Sequence, residues 1–312
     1  MKLSERTFEL NGPEGLGEKP RPELIGPVLA SLHDTLLDSV RMGFLHASRT
    51  RGRVPQALQA AAEVRFTGME GSGDNRTVLH FRVPRFGDVA EELFQQRQLW
   101  EDGPKPEETA FDLLTQAMRD VRQLAKDSSR FDHALLNRFA SYRSTLRRGV
   151  SAIVVGGATP DARFDDGFTA AAESLRRQTP APRRVRLCGK LDMLGVSRKV
   201  MGLYLEDGTP VTALWNAEDF TGLAEHLGKD VTIEGMAMFR PSGRLLRIDA
   251  DAIAAAEARD AFFSKLPLAG TGTDYAVKLR ARPGESAYAG LLGIIPGEES
   301  DEEYIRAVEE FS

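Results

Sequence analysis

Between Leu29 and Phe44 the apolar residues Leu29, Leu32, Leu36, Val40 and Phe44 fall three or four apart, which sets them on one stripe of a helix. The same period returns twice. In "ETAFDLLTQAMRDVRQLAK", Phe111, Leu114, Met118, Val121 and Ala125 share a face, and Thr109 and Asp112 have capping-box spacing. In "FDHALLNRFASYRSTLRRG" the stripe is Leu135, Phe139, Tyr142 and Leu146. Two short β-rich runs, "EVRFTGM" and "RTVLHFRV", flank the turn-forming "EGSGDN" and predict a hairpin. A helix is expected from Val89 to Gln98, a buried strand at "VSAIVVGG", and a further helix at "DGFTAAAESLRRQ" that Pro180 and Pro182 stop. Strands and helices do not alternate strictly, so this part reads as α+β rather than as a doubly wound sheet.

After "TPAPRR" the period changes from helical to two. Val185, Leu187 and Leu191 keep one parity; so do Met201, Leu203 and Leu205, then Val231 and Ile233, then Leu246, Ile248 and Ala250. A helical stripe of Phe220, Leu223, Ala224 and Leu227, ended by Gly228, separates the third strand from the fourth. The order β-β-β-α-β-β within some 70 residues is that of a five-stranded Greek-key barrel of the OB type. Gly189 and Gly235 interrupt two strands, where a small barrel needs bends or bulges.

The expected organisation is therefore an irregular arm (1–26), an α+β domain (27–178), an OB-like β-barrel (183–253), a helix and linker (254–283), and a helical acidic C-terminal tail (284–312). The fold class is α+β. No run of apolar residues is long enough to span a bilayer. The first residues lack the apolar stretch of a secretory signal. One cysteine, Cys188, rules out an internal disulfide and fits a reducing, cytoplasmic setting.

Chemistry-bearing patterns are sparse. His33, His46, His80, His133 and His226 are scattered without the paired spacing of a zinc site. No nucleophile motif occurs, and Cys188 falls within the first barrel strand, where a packed thiol is the simpler reading. The three Asp of "DARFDDG" lack the alternation of a calcium loop, and no Gly cluster has the spacing of a phosphate loop. No enzyme, metal or cofactor is expected. Binding is the remaining class. Arg183, Arg184, Arg186, Lys190, Arg198 and Lys199 cluster at the start of the barrel, with Tyr204 and Phe239 as candidate exposed aromatics for base stacking. Further cations lie in "SRTRGR" and on a helix face of Arg138, Arg143, Arg147 and Arg148. Yet the barrel segment balances ten cations against ten anions, so its nonspecific electrostatic attraction is modest.

The acidity of the chain is concentrated at one end. Residues 296–312 hold seven carboxylates against Arg306, a net charge of −6, while the whole chain is −5. Ser300 and Glu303 have capping-box spacing, Asp301, Glu302 and Glu303 fall in the first turn where the helix dipole favours them, and Tyr304, Ile305, Val308 and Phe311 share one side. A helix this short is marginal alone, so its apolar face either folds back on the chain or docks in a partner's groove.

The segment "GESAYAGLLGIIPGEESDEEYIRAVEEFS" resembles the C-terminal end of small bacterial antitoxins, with Ile295 where their pattern has Trp and Glu298 where it has Asp. Such antitoxins pair with PIN-domain ribonuclease toxins. The resemblance implies a toxin–antitoxin role in which Ile295, Glu298, Glu299, Asp301, Glu302, Glu303, Tyr304, Ile305, Arg306, Val308 and Phe311 bind the toxin. The rest of the chain, through "GRVPQALQAAAEVRFTGM", "RQLWEDGPKPEETAFDLL" and "FRPSGRLLRIDADAI", is similar to an uncharacterised bacterial family, which implies no activity. Two expectations follow. One is an antitoxin-like protein that neutralises a partner through its tail. The other is an OB-type nucleic-acid-binding protein whose acidic tail covers its own basic groove or recruits another protein.

Overall fold

A computed structural model of the chain describes residues 3–13, 16–50, 52, 54–72, 75–94, 103–156, 162–195, 198–216, 221–267 and 269. All lie in one structural unit, Met1–Ala269. The expected tail, with the part of the linker from residue 270 on, lies outside the described residues.

The first layer is a five-stranded antiparallel sheet, β1 (Leu3–Asn11), β2 (Arg65–Ser72), β3 (Arg76–Pro84), β4 (Ala152–Gly156) and β5 (Arg163–Phe164), in the order β2-β3-β1-β4-β5. The expected irregular arm is thus corrected: β1 sits at the sheet centre, pairing with β3 on one side and β4 on the other. Its alternation is short, but Phe8 and Leu10 are fully buried. The helix predicted in the segment that begins at Pro27 starts earlier, as α1 (Pro22–Leu45), with Pro22 in the first turn, where its missing N–H costs nothing.

The remaining helices are α2 (Gln56–Ala61), α3 (Phe86–Val89), α4 (Ala110–Arg122), α5 (His133–Ser141), α6 (Arg143–Leu146) and α7 (Asp166–Gln178). Phe111 of α4 meets Phe8 edge-on at 5.5 Å, placing α4 on the apolar face of the sheet. As its spacing predicted, the Asp112 carboxylate accepts from Thr109 N–H at 2.9 Å, and it also accepts from Arg6 of β1 at 3.1 Å. The acidic "DARFDDG" is explained in the same way: Asp165 caps α7 by accepting from Phe168 N–H at 2.8 Å and pairs with Arg122 at 2.8 Å. The opposite face of the sheet is polar, with Glu9–Arg76 at 3.6 Å and Glu5–Arg82 at 3.3 Å. In place of the helix expected over Val89 to Gln98 there is the one-turn α3 and a 3₁₀ turn at Glu91–Leu93, beyond which residues 95–98 lie outside the described residues.

The second layer is a closed barrel of β6 (Arg183–Gly195), β7 (Val200–Tyr204), β8 (Pro210–Trp215), β9 (Asp230–Phe239) and β10 (Leu245–Ala255), in the order β10-β8-β7-β6-β9. Every pair is antiparallel except β8 with β10. This is an OB-like barrel, and its interior is the expected set of Leu187, Leu191, Met201, Leu203, Val231, Ile233, Ile248 and Ala250. Gly189 and Gly235 are needed for close approach: a Cβ on Gly189 would come 2.8 Å from Tyr204 O, and one on Gly235 would overlap Asp249 O. Between β8 and β9 the turn at Thr221–His226 is 3₁₀ rather than α, and residues 217–220 of the expected helix lie outside the described residues. The helix expected from residue 254 is also corrected, because β10 continues to Ala255 and a 3₁₀ turn follows at Ala258–Phe263.

One expected parity fails, and its failure joins the two layers. A bulge between Leu245 and Arg247 breaks the ladder with β9, so Leu246 leaves the barrel interior and packs with Val200 and Leu214 in the core of the α+β layer. Arg247 follows it outward. Its side chain is 3% exposed and donates to His46 O at 2.8 Å, to Asp249 at 2.7 Å and to Asp132 at 3.3 Å. Asp132 in turn caps α5 through Leu135 N–H and accepts from Ser48 N–H at 3.0 Å and Ser48 Oγ at 2.6 Å. The barrel, the end of α1 and the start of α5 therefore meet on a single carboxylate.

Candidate functional site

Pinning His46 and Ser48 fixes the segment that follows α1 against the barrel. His46 ends α1 in a left-handed conformation, φ 54°. Arg49, Thr50 and Gly52 then face the loop between β6 and β7 and the end of β8, and together these enclose a cavity of about 400 Å³. Its cations are Arg49, Arg198 and Lys199, and its aromatic is Trp215. The backbone ties these together, since Trp215 N–H donates to Lys199 O at 2.9 Å and Asn216 N–H donates to Ala250 O at 3.0 Å. Lys199 adopts φ 52°, an uncommon conformation for a non-glycine residue that turns the chain sharply here. Two carboxylates also line the cavity, Asp249 and Asp251. Both are engaged: Asp249 accepts from Arg247, and Asp251 accepts from Asn216 Nδ2 at 3.2 Å and lies 3.8 Å from Arg184.

A second cavity of about 440 Å³ lies on the other side of Arg198, between the end of α1, strands β7 and β8, and the turn that joins β9 to β10. That turn is held rigidly. Ser242 Oγ donates to Asp127 Oδ1 at 2.6 Å, Arg240 Nη1 donates to Asp127 O at 2.7 Å, and Gly243 N–H closes the turn on Arg240 O at 2.8 Å. His46 reaches this cavity too. Burial of its imidazole, and then the positive charges of Arg240, Arg247 and Arg198, push its pKa down to about 4, so it is neutral at pH 7. A third cavity, of about 580 Å³, adjoins the second and is lined by Lys105, Arg119 and Arg130 against Glu108 and Asp120.

The expected cluster of nucleic-acid-binding residues is divided by the fold. Arg198 and Lys199 come together at the first cavity. Arg184 and Arg186 instead reach Glu234, at 3.7 and 3.8 Å, and Arg186 also pairs with buried Asp260 at 3.0 Å. Arg183 lies 5.7 Å over the ring of Phe239, which is 3% exposed and so is not the stacking platform that was expected. Lys190 and Tyr204 sit opposite each other on β6 and β7. Of the cationic helix face, Arg138 is bound to Asp34 and Asp38 of α1, while Arg143, Arg147 and Arg148 are exposed. Cys188 is buried in β6, and burial pushes its thiol pKa up, away from reactivity. Sequence reasoning missed Trp215, Arg240 and Arg244.

Among the described residues no group of three or more His, Cys, Asp or Glu is arranged to hold a metal ion. Nor among them is any helix long and apolar enough to cross a membrane. The partner-binding residues expected from Ile295 to Phe311 lie outside the described residues. Compared with known protein families and with curated proteins, the chain matches no family model and no curated sequence.

Proposed function

We propose that this protein works by binding rather than by catalysis, and that its ligand at the barrel is single-stranded nucleic acid. The observation that carries this reading is the cavity that Arg49, Arg198 and Lys199 line together with Trp215. OB barrels bind single strands with a cationic groove and aromatic stacking platforms, often at the loop between their first two strands, and Arg198 and Lys199 occupy that loop. The volume of about 400 Å³ suits one base with its sugar and phosphate. Because Val200, Leu214 and Leu246 are buried against the α+β layer, a strand does not run across the whole barrel face. The contact is confined to a few nucleotides.

The test is fluorescence anisotropy of a labelled heptanucleotide against salt. Three phosphate contacts give a slope of log K against log salt near −2 for a single strand, at about 0.7 per contact. Arg198→Gln is expected to flatten the slope by about 0.7. Trp215→Leu is expected to weaken binding about 5- to 150-fold through the lost stacking. Binding that neither substitution changes would rule the site out.

A second reading concerns the tail. Its net charge of −6 in seventeen residues favours capture of a protein with a cationic groove, and the resemblance to antitoxins makes a PIN-type ribonuclease the partner of choice. The two readings are compatible, one surface serving nucleic acid and the other a toxin. A pull-down with the full chain and with a version ending at Pro283 separates them: the tail reading requires that only the full chain retains the nuclease.

A further inference from the structure

The second cavity has a charge pattern that the first lacks. Its described lining includes three arginines, Arg198, Arg240 and Arg244, and no carboxylate. The adjoining third cavity, by contrast, sets two carboxylates against its cations. The nearby Asp127 is already committed to the turn, accepting from Ser242 and lying 3.8 Å from Arg244. One donor is left over. Arg240 Nε is shut off from water and has no hydrogen-bond acceptor, although buried charged donors are rarely left so in folded proteins. Burial outweighs Asp127 and pulls the Arg240 guanidinium pKa below its ordinary value, a sign that this charge lacks full compensation. Around these cations the wall is apolar, with Phe44, Met193, Val200 and Leu245 among its residues.

We propose that this cavity binds a small amphipathic organic anion, its head group held by Arg240, Arg244 and Arg198 and its apolar body lying along Met193, Val200 and Leu245. The anionic head accepts from the arginine N–H groups and supplies a counter-charge that the described lining does not hold. An apolar body is required because an inorganic ion alone leaves most of a volume of about 440 Å³ unfilled. The arginines of the turn need no rearrangement, since Asp127 already fixes the turn. Carboxylate and phosphate heads satisfy the same donors, so the head is defined as a compact oxyanion. The site does not depend on nucleic-acid binding at the neighbouring cavity.

The test uses the full chain with 8-anilinonaphthalene-1-sulfonate as a fluorescent probe, and octanoate, octyl phosphate, octanol and inorganic phosphate as competitors. One saturable class of probe sites is expected, displaced by octanoate or octyl phosphate and not by octanol. Arg240→Met, which keeps the aliphatic stem, is expected to weaken probe binding at least about tenfold, the worth of one charge-assisted hydrogen bond. Since this variant also gives up the bond to Asp127 O, Thr212→Trp is made alongside it. It keeps all three arginines, fills the cavity from the opposite wall, and is expected to abolish binding while circular dichroism stays native. Probe affinity within twofold of the parent in the folded variants overturns the proposal. Equal displacement by octanol overturns it as well, by removing the need for charge. Equal displacement by inorganic phosphate removes the need for an apolar body and reduces the site to an adventitious anion.

Discussion

Replacing Arg247 with Met tests the seam on which both cavities depend. Methionine keeps the length and apolar volume of the stem and removes three hydrogen bonds, to His46 O, Asp132 and Asp249. The loss falls unequally. Asp249 has a side chain 25% exposed and recovers water, whereas the Asp132 side chain is 5% exposed and loses its counter-charge. Three donors still serve Asp132, from Leu135 and Ser48, so the cost belongs at the lower end of the about 3–5 kcal/mol typical of breaking a buried pair. At about 2–4 °C per kcal/mol for a unit of this size, the melting temperature is expected to fall by about 6–12 °C. Urea unfolding followed by far-UV circular dichroism supplies the free energy. Asp132→Asn alone leaves Arg247 with Asp249 as its remaining carboxylate, and the double variant is expected to lie within about 1 kcal/mol of the worse single variant, because the two residues act as one unit. A loss under about 1 kcal/mol in Arg247→Met, or strictly additive losses, would refute the view that this pair holds the layers together.

Three further outcomes follow from the same geometry. His46 has a pKa of about 4 in the fold against 6.5 for an ordinary histidine, so the unfolded chain binds more protons between those values. Its contribution is whole above pH 6.5 and is lost as the pH falls toward 4, by at most about 3 kcal/mol; His46→Asn, which tolerates the left-handed backbone, should flatten that limb of a stability–pH curve. Gly235→Ala should cost about 1–3 kcal/mol in urea melts, because the new Cβ meets Asp249 O, while Gly26→Ala, with nothing nearby, should cost nothing. Arg198 lines both seam cavities, so saturating octanoate should weaken the heptanucleotide at least about threefold, and Arg198→Gln should remove that dependence.

Much of the architecture was legible because helix and strand periods dominate where one face is buried. The capping box of α4, the hairpin and the parity of three barrel strands all read directly from spacing. The exceptions share a cause, which is that tertiary pairing decided what local pattern left open. In β1, "LSERTFELN" offers two strong inward residues, Phe8 and Leu10, and what makes it a strand is a neighbour on each side. Phe239 was expected to be an exposed aromatic, yet it is buried, with Arg183 over its ring.

The site was hidden for a related reason. Trp215 shares the parity of Val211 and Ala213 and packs, partly buried, against the same barrel core, so alternation alone does not reveal that it also lines a cavity. Its place at the barrel's rim follows from β8 ending there and pairing with β10 at Ala250. Arg240 and Arg244 were visible as charges flanking "PSG", but their convergence on one cavity depends on Asp127, more than a hundred residues away in sequence. The deepest concealment is the bulge in "LLRID". A strict two-residue period places Leu246 inside the barrel and Arg247 outside in solvent. The bulge instead turns both toward the α+β layer, one as apolar contact and the other as the buried cation that fixes His46 and Ser48. A single inserted residue thus converts a free-standing barrel into one wall of a seam. The sequence hides the bulge because Leu246-Arg247-Ile248 is the apolar-polar-apolar alternation of an ordinary half-solvated strand, and only the broken pairing with β9 turns Arg247 into a buried cation.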